Sequence, residues 1–206
     1  MTAARREREA LVATMRDAGP DAPTLCEGWT ARDLAAHLVL REYRPDAAPG
    51  IAIPSFAGYT AKVQGEITES TDWDQLLDKI ASGPPAYSPF KLLDPVVNTA
   101  EMFIHHEDVR RARPEWEPRE LDEAMVSALG RTLPIMARLT LSRMPGRVAL
   151  RTPEGKTVLT AGSGPPVTVT GAPAELLLFS VGRAARVELD GDAPTVSAVR
   201  EAPKGL

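Results

Sequence analysis

With 206 residues, 43% hydrophobic and 25% charged, the chain has the make-up of an ordinary globular protein of one domain or two small ones. A net charge of −4 supplies no overall positive field, which argues against nucleic acid as the main partner. No apolar run approaches the roughly 20 residues that span a bilayer, and the one cysteine, Cys26, leaves no internal disulfide and fits a reducing cytoplasm.

The N-terminal MTAARREREALVATM is charged and has no apolar core of the secretory-signal kind. Residues 3–18 read as a first helix, with Ala4, Leu11, Met15 and Ala18 in phase and Gly19-Pro20 as its stop. After the polar loop PDAPTLCEGW, Thr30 is placed to cap a second helix over 31–43, and Asp33 complements the positive end of its dipole. Ala31, Leu34, Ala35 and Leu38 form its apolar stripe, with His37 at the edge.

Residues 44–54 form a loop with three prolines. A third helix is expected over 55–68 despite Gly58 and Gly65, and a short one over 73–81 with Asp72 as its cap. Gly83-Pro84-Pro85 breaks the chain. Asp94 and Pro95 read as the cap and first residue of a helix that stops before Pro114. Arg110, Arg111 and Arg113, near its end, read as a solvated basic run. A long helix is expected over 118–143, kinked at Pro134.

After Pro145-Gly146 the pattern changes. RVALRT and KTVLTA joined by PEG read as a hairpin, PVTVTG as a third strand, APAELLLFSV as a helix and ARVELDG as a fourth strand. The last residues, from 193 on, are either a final helix or a ragged tail. The expected organisation is a helical body over 1–143 and a small α/β unit over 144–206.

The densest chemistry lies in EMFIHHED, residues 101–108. Glu101 and His105 are one helical turn apart, so carboxylate and imidazole share a face and can close on one metal ion. Of the three histidines two are here and the third is His37, which gives a triad of His37, Glu101 and His105 with a coordination position left open. The same residues also read as an interhelical ion pair and a core-edge histidine. His106 lies about 100° round the helix from His105, so both cannot easily reach one ion. Asp108 is placed either to orient the His105 ring or as a solvated charge. Cys26 reads as a small buried residue, and Trp29 and Trp73 as core.

TLCEGWTARDLAAHL at 24–38 resembles the opening motif of the mycothiol-dependent maleylpyruvate isomerase family, and NTAEMFIHHEDVRRA at 98–112 is similar to its second metal motif. PVTVTGAPAELLLFSVGRAARVELDGD at 166–192 resembles the small C-terminal module of that family. The resemblance implies a DinB-like four-helix bundle followed by a sterol-carrier-protein-like α/β module, with zinc ligands at His37, Glu101 and His105. It implies mycothiol, the low-molecular-weight thiol of actinobacteria, as cosubstrate, and S-transfer or cis–trans isomerisation of a small electrophile as the reaction. Arg183 is then a candidate for a substrate carboxylate or for the thiol cofactor, or a helix-end arginine suited to the dipole. The same donors admit nickel, cobalt or iron. Two other functions fit the motif: a non-catalytic metal or small-ligand binding protein, and a metal-dependent hydrolase with Asp108 or Asp33 as base. The expected setting is cytoplasmic, as a monomer or homodimer, with neither nucleic acid nor membrane as partner.

Overall fold

The computed structural model describes residues 2–93 and 98–204, the side chains of Leu92 and Leu93 excepted. The expected cap and first residue of the histidine-bearing helix, Asp94 and Pro95, lie outside the described residues. The chain divides into two compact units, Met1–Glu117 and Pro118–Leu206.

In the first unit, α1 (Ala3–Ala18) starts on the Thr2 hydroxyl, which accepts from Arg5 N, and stops at Gly19. The φ of 85° at Gly19 is open to a residue without a Cβ. The second helix, α2 (Ala31–Tyr43), begins with a capping box: the Thr30 side chain accepts from Asp33 N while the Asp33 carboxylate accepts from Thr30 N. Two short 3-10 turns, Ala48–Ile51 and Pro54–Phe56, lead into α3 (Ala57–Ser70), so this helix starts and ends two residues later than the periodicity suggests. Next come α4 (Trp73–Ser82), the single turn α5 (Phe90–Leu93) and α6 (Thr99–Arg110).

Four of these helices build the bundle. Leu11, Val12 and Met15 from α1 meet Leu34, Ala35, Leu38 and Val39 from α2, Leu76, Leu77 and Ile80 from α4, and Met102 and Val109 from α6. Each of the larger side chains, valine, leucine, isoleucine or methionine, contributes about 1.5–3 kcal/mol. A buried polar clamp accompanies this core: Arg8 on α1 donates to Glu42 on α2 (Nη1–Oε2 2.8 Å) and to the carbonyl of Ile80 on α4 (2.9 Å). The helix α3 packs against α2.

In the second unit α7 (Glu123–Leu141), capped by Asp122, packs on α8 (Pro173–Ser180) and on the strand Thr157–Ala161. The sheet has the order β2-β1-β3-β4, with β1 (Arg147–Arg151), β2 (Thr157–Ala161), β3 (Pro166–Thr170) and β4 (Glu188–Gly191). Its outer pairs are antiparallel and β1/β3 is parallel, which places Val148 beside Val167 and Leu150 beside Val169 on the buried face. The last residues resolve as a helix, α9 (Ala193–Glu201), capped by Asp192. The division between units falls after Glu117, ahead of α7, whereas the sequence reading put it at residue 143. Proline and charge at 113–120 punctuate the chain no less than Pro145-Gly146, and only the packing of α7 shows which break separates the units. No helix among the described residues is long and apolar enough to cross a membrane.

Candidate metal centre

From Thr99 to Val109 every residue of α6 except Glu101 is buried, although four of them carry carboxylates or imidazoles. Buried polar groups must find partners, and these do so in three directions. Toward α1, His106 has Nδ1 2.8 Å from Glu7 Oε1 and Nε2 2.8 Å from Thr14 Oγ1, which saturates the ring. Along the helix, Glu107 accepts from Arg110 (2.8 Å) and Arg111 (2.6 Å). Arg111 is itself buried, its guanidinium 4.3 Å from the Trp116 ring centre, so this part of the basic run is an internal ion pair, contrary to the solvated reading.

Glu101, His105 and Asp108 face α2 and the loop before it. His105 Nδ1 lies 2.9 Å from Asp108 Oδ2, and its Nε2 lies 3.2 Å from Glu101 Oε1. On α2, His37 places its ring 5.5 Å from that of His105, edge to face, and Trp29 stands 5.0 Å from His37 on another side. Arg41, one turn beyond His37, brings Nε to 3.5 Å from Glu101 Oε1, donates to Asn98 Oδ1 at 2.7 Å and covers the Phe90 ring at 4.0 Å. One donor atom from each of His37, Glu101 and His105 lies within 4.8 Å of the other two.

The charges follow from this packing. Burial, reinforced by the neighbouring His105, lowers His37 to about 4, so its imidazole is neutral with a lone pair available. Burial alone would raise Glu101, but the hydrogen bond to His105 and the Arg41 guanidinium outweigh it and hold the carboxyl at about 2. Burial opposes a charge on His105, and the hydrogen bonds with Asp108, Cys26 and Glu101 more than offset it, raising the imidazole well above its usual range. A ring with a carboxylate at each nitrogen calls for positive charge, from a second proton or from a cation at Nε2.

The donor set fits a divalent ion. Bonds of about 2.1 Å in a tetrahedron give donor–donor edges of about 3.4 Å. The 3.2 Å between His105 and Glu101 already matches, and the 4.8 Å limit on the set asks only small rotations. Asp108, fully buried at 0% exposure, sits where it fixes the His105 tautomer with Nδ1–H toward itself and Nε2 toward Glu101. That burial rules out a solvated charge. A second group, Cys26, His105 and Asp108, also has donors within 4.8 Å of each other. There the Cys26 thiol donates to Asp108 Oδ2 at 3.2 Å, the same oxygen that faces His105 Nδ1.

The structure thus brings together His37, Glu101, His105 and Asp108. Arg183 belongs to the second unit, where its Nη1 donates to the carbonyl of Val181 at 2.9 Å and its side chain lines a cavity with Phe179, Leu189, Arg200 and Lys204. Sequence reasoning missed Arg41, Gln64 and Cys26. Arg41 had a signal, since it is one turn from His37 as Glu101 is from His105. Gln64, a hydrogen-bond partner of His37, had none. Cys26 is far from any histidine along the chain, and only the hydrogen bond from Leu25 N to Asp108 O (3.0 Å) shows why it arrives here.

His37 and Trp29 open onto a cavity of about 550 Å³, lined also by Asp33, Ile51, Thr60, Gln64, Thr68 and Glu69.

A four-helix bundle with a buried imidazole–carboxylate cluster, followed by a small α/β unit, defines a mixed α+β protein whose candidate site lies in the helical part. The first 44 residues match the family model "Mycothiol maleylpyruvate isomerase N-terminal domain". Over 99% of this chain and 93% of the other, the fold is similar to the crystal structure of the mycothiol-dependent maleylpyruvate isomerase, with a TM-score of 0.59 and 16% identity. A histidine-to-alanine mutant of a mycothiol-dependent maleylpyruvate isomerase is similar over the same shares, with a TM-score of 0.53 and 12% identity. The family model covers the first of the three resembling stretches, 24–38, and the likeness of fold runs along nearly the whole chain. No curated protein sequence matches the chain.

Proposed function

We propose that this protein is a mycothiol-dependent enzyme, a transferase or cis–trans isomerase acting on a small electrophile, with a divalent metal held by His37, Glu101 and His105. The observation that carries the reading is the convergence of His37 from α2 with Glu101 and His105 from α6 beside an open cavity. The N, N, O donor set leaves a fourth position free. A bound divalent ion would remove the proton of a coordinating thiol, which otherwise titrates near pH ~8.5, and so supply a thiolate at neutral pH.

The chain's own residues hold and orient. Asp108 keeps the His105 ring turned with Nε2 inward, Arg41 anchors the Glu101 carboxylate, and Gln64 and Trp29 fix the plane of His37. The hydrolase alternative is weakened for Asp108, which is fully buried and accepts from His105 and Cys26.

The test is metal analysis of the purified protein, then titration of the cobalt-loaded form with mycothiol. A sulfur-to-cobalt charge-transfer band and thiol consumption with an electrophile support the reading. Metal binding with no turnover on any electrophile would leave the non-catalytic alternative standing.

A further inference from the structure

The cavity beside His37 is lined by charged side chains of one sign. The acidic side chains lining it are Asp33 and Glu69, and among its described lining residues there is neither lysine nor arginine. The cations nearby are turned to other partners. Arg32 donates to the carbonyls of Thr68 (3.2 Å) and Thr71 (3.0 Å), Arg41 is held by Asn98, Glu101 and Phe90, and Lys62 on α3 lies 3.9 Å from Glu66. Of the uncharged polar lining, Thr60 adds an acceptor. The Thr60 hydroxyl gives its proton to the carbonyl of Ala47 and so presents only lone pairs. Asp33 uses Oδ2 for both capping bonds, which leaves Oδ1 for another donor. Trp29 supplies an aromatic face, and Ile51 and Ala57 an apolar one.

Away from the ion proposed at His37, such a wall suits a molecule that donates hydrogen bonds or carries positive charge, because there an anion would meet Asp33 and Glu69 with neither lysine nor arginine among the described lining residues. We propose that the small molecule filling this cavity is neutral or cationic, with hydroxyl, amide or ammonium groups, and that carboxylate substrates are discriminated against by Asp33 and Glu69. This rests on the reading of the site given above, and it departs from an acidic substrate such as the similar solved enzyme's name indicates.

A matched pair of probes tests it: a chlorodinitrobenzamide and the corresponding chlorodinitrobenzoate, which share the carbon where thiolate replaces chloride and differ in charge. With full-length metal-loaded protein and mycothiol, kcat/KM, corrected for each probe's uncatalysed rate, should favour the amide by about tenfold or more, less at high salt. The Glu69→Gln variant, changed at an exposed position, should narrow that ratio. Binding of the chlorine-free amide and carboxylate to metal-free protein, followed calorimetrically, should show the same order. Equal or tighter binding of the carboxylate, or binding of neither, overturns the proposal. Turnover that prefers the benzoate overturns it while leaving the thiol-dependent reading intact. Tighter amide binding without any turnover supports it and counts against that reading instead.

Discussion

His105 is held at both ring nitrogens by carboxylates of its own helix, so a change at Asp108 should be felt at the centre without altering its donors. Asp108→Asn is expected to weaken metal affinity about 10–100-fold, measured by chelator competition, because the ring loses its charged orienting partner. An unchanged affinity would mean that His105 is placed by packing alone. Cys26→Ser separates the two possible ligand sets: with His37, Glu101 and His105 as ligands, the serine variant keeps its metal within a few-fold, since a hydroxyl can still donate to Asp108. If the ion is lost with Cys26 and retained in His37→Ala, the ligands are Cys26, His105 and Asp108. At this scale the sequence pointed to the three side chains that the fold brings within 4.8 Å of one another, because Glu101 and His105 share a turn and the chain's remaining histidine is His37. It could not disclose that Arg111 is internal or that Cys26 reaches Asp108, since both depend on contacts made across the fold.

The helices set the distances. His37 is positioned by where α2 begins, and that start is fixed by the reciprocal bonds of Thr30 and Asp33. Thr30→Ala should lower stability by about 1 kcal/mol, seen as a lower urea midpoint with an unchanged slope. A wild-type midpoint would show that the Pro23–Thr30 bridge and core packing hold the helix start unaided. The cap at Thr30 and an acidic first turn at Asp33 were legible in WTARD, as were the apolar stripes of α1, α2 and α4, because helical period and end signals are local; the return bond from Thr30 N to Asp33 was not read from it. The two 3-10 turns before α3 were not. Their prolines announce a loop, while the path between Ala48 and Phe56 is set by what the turns pack against, such as the Thr60 hydroxyl bond to Ala47.

All the candidate donors lie in the first unit, and α7 packs with the second. A fragment of residues 1–117 is therefore expected to bind metal like the full chain. One ending at 143 would carry α7 without α8 and the sheet, expose Leu129, Leu133, Ala137 and Leu141, and self-associate on gel filtration. A monomeric, metal-binding 1–143 fragment with a disordered 1–117 counterpart would reverse the assignment of α7. The central claim is that a side chain from α2 and two from α6 share one ion. It is tested most directly by titrating cobalt into metal-free full-length protein and into its His37→Ala variant, following the visible absorption. The account expects one ion per chain with a tetrahedral spectrum in the wild type, and its loss in the variant; an identical spectrum and stoichiometry in both would contradict it.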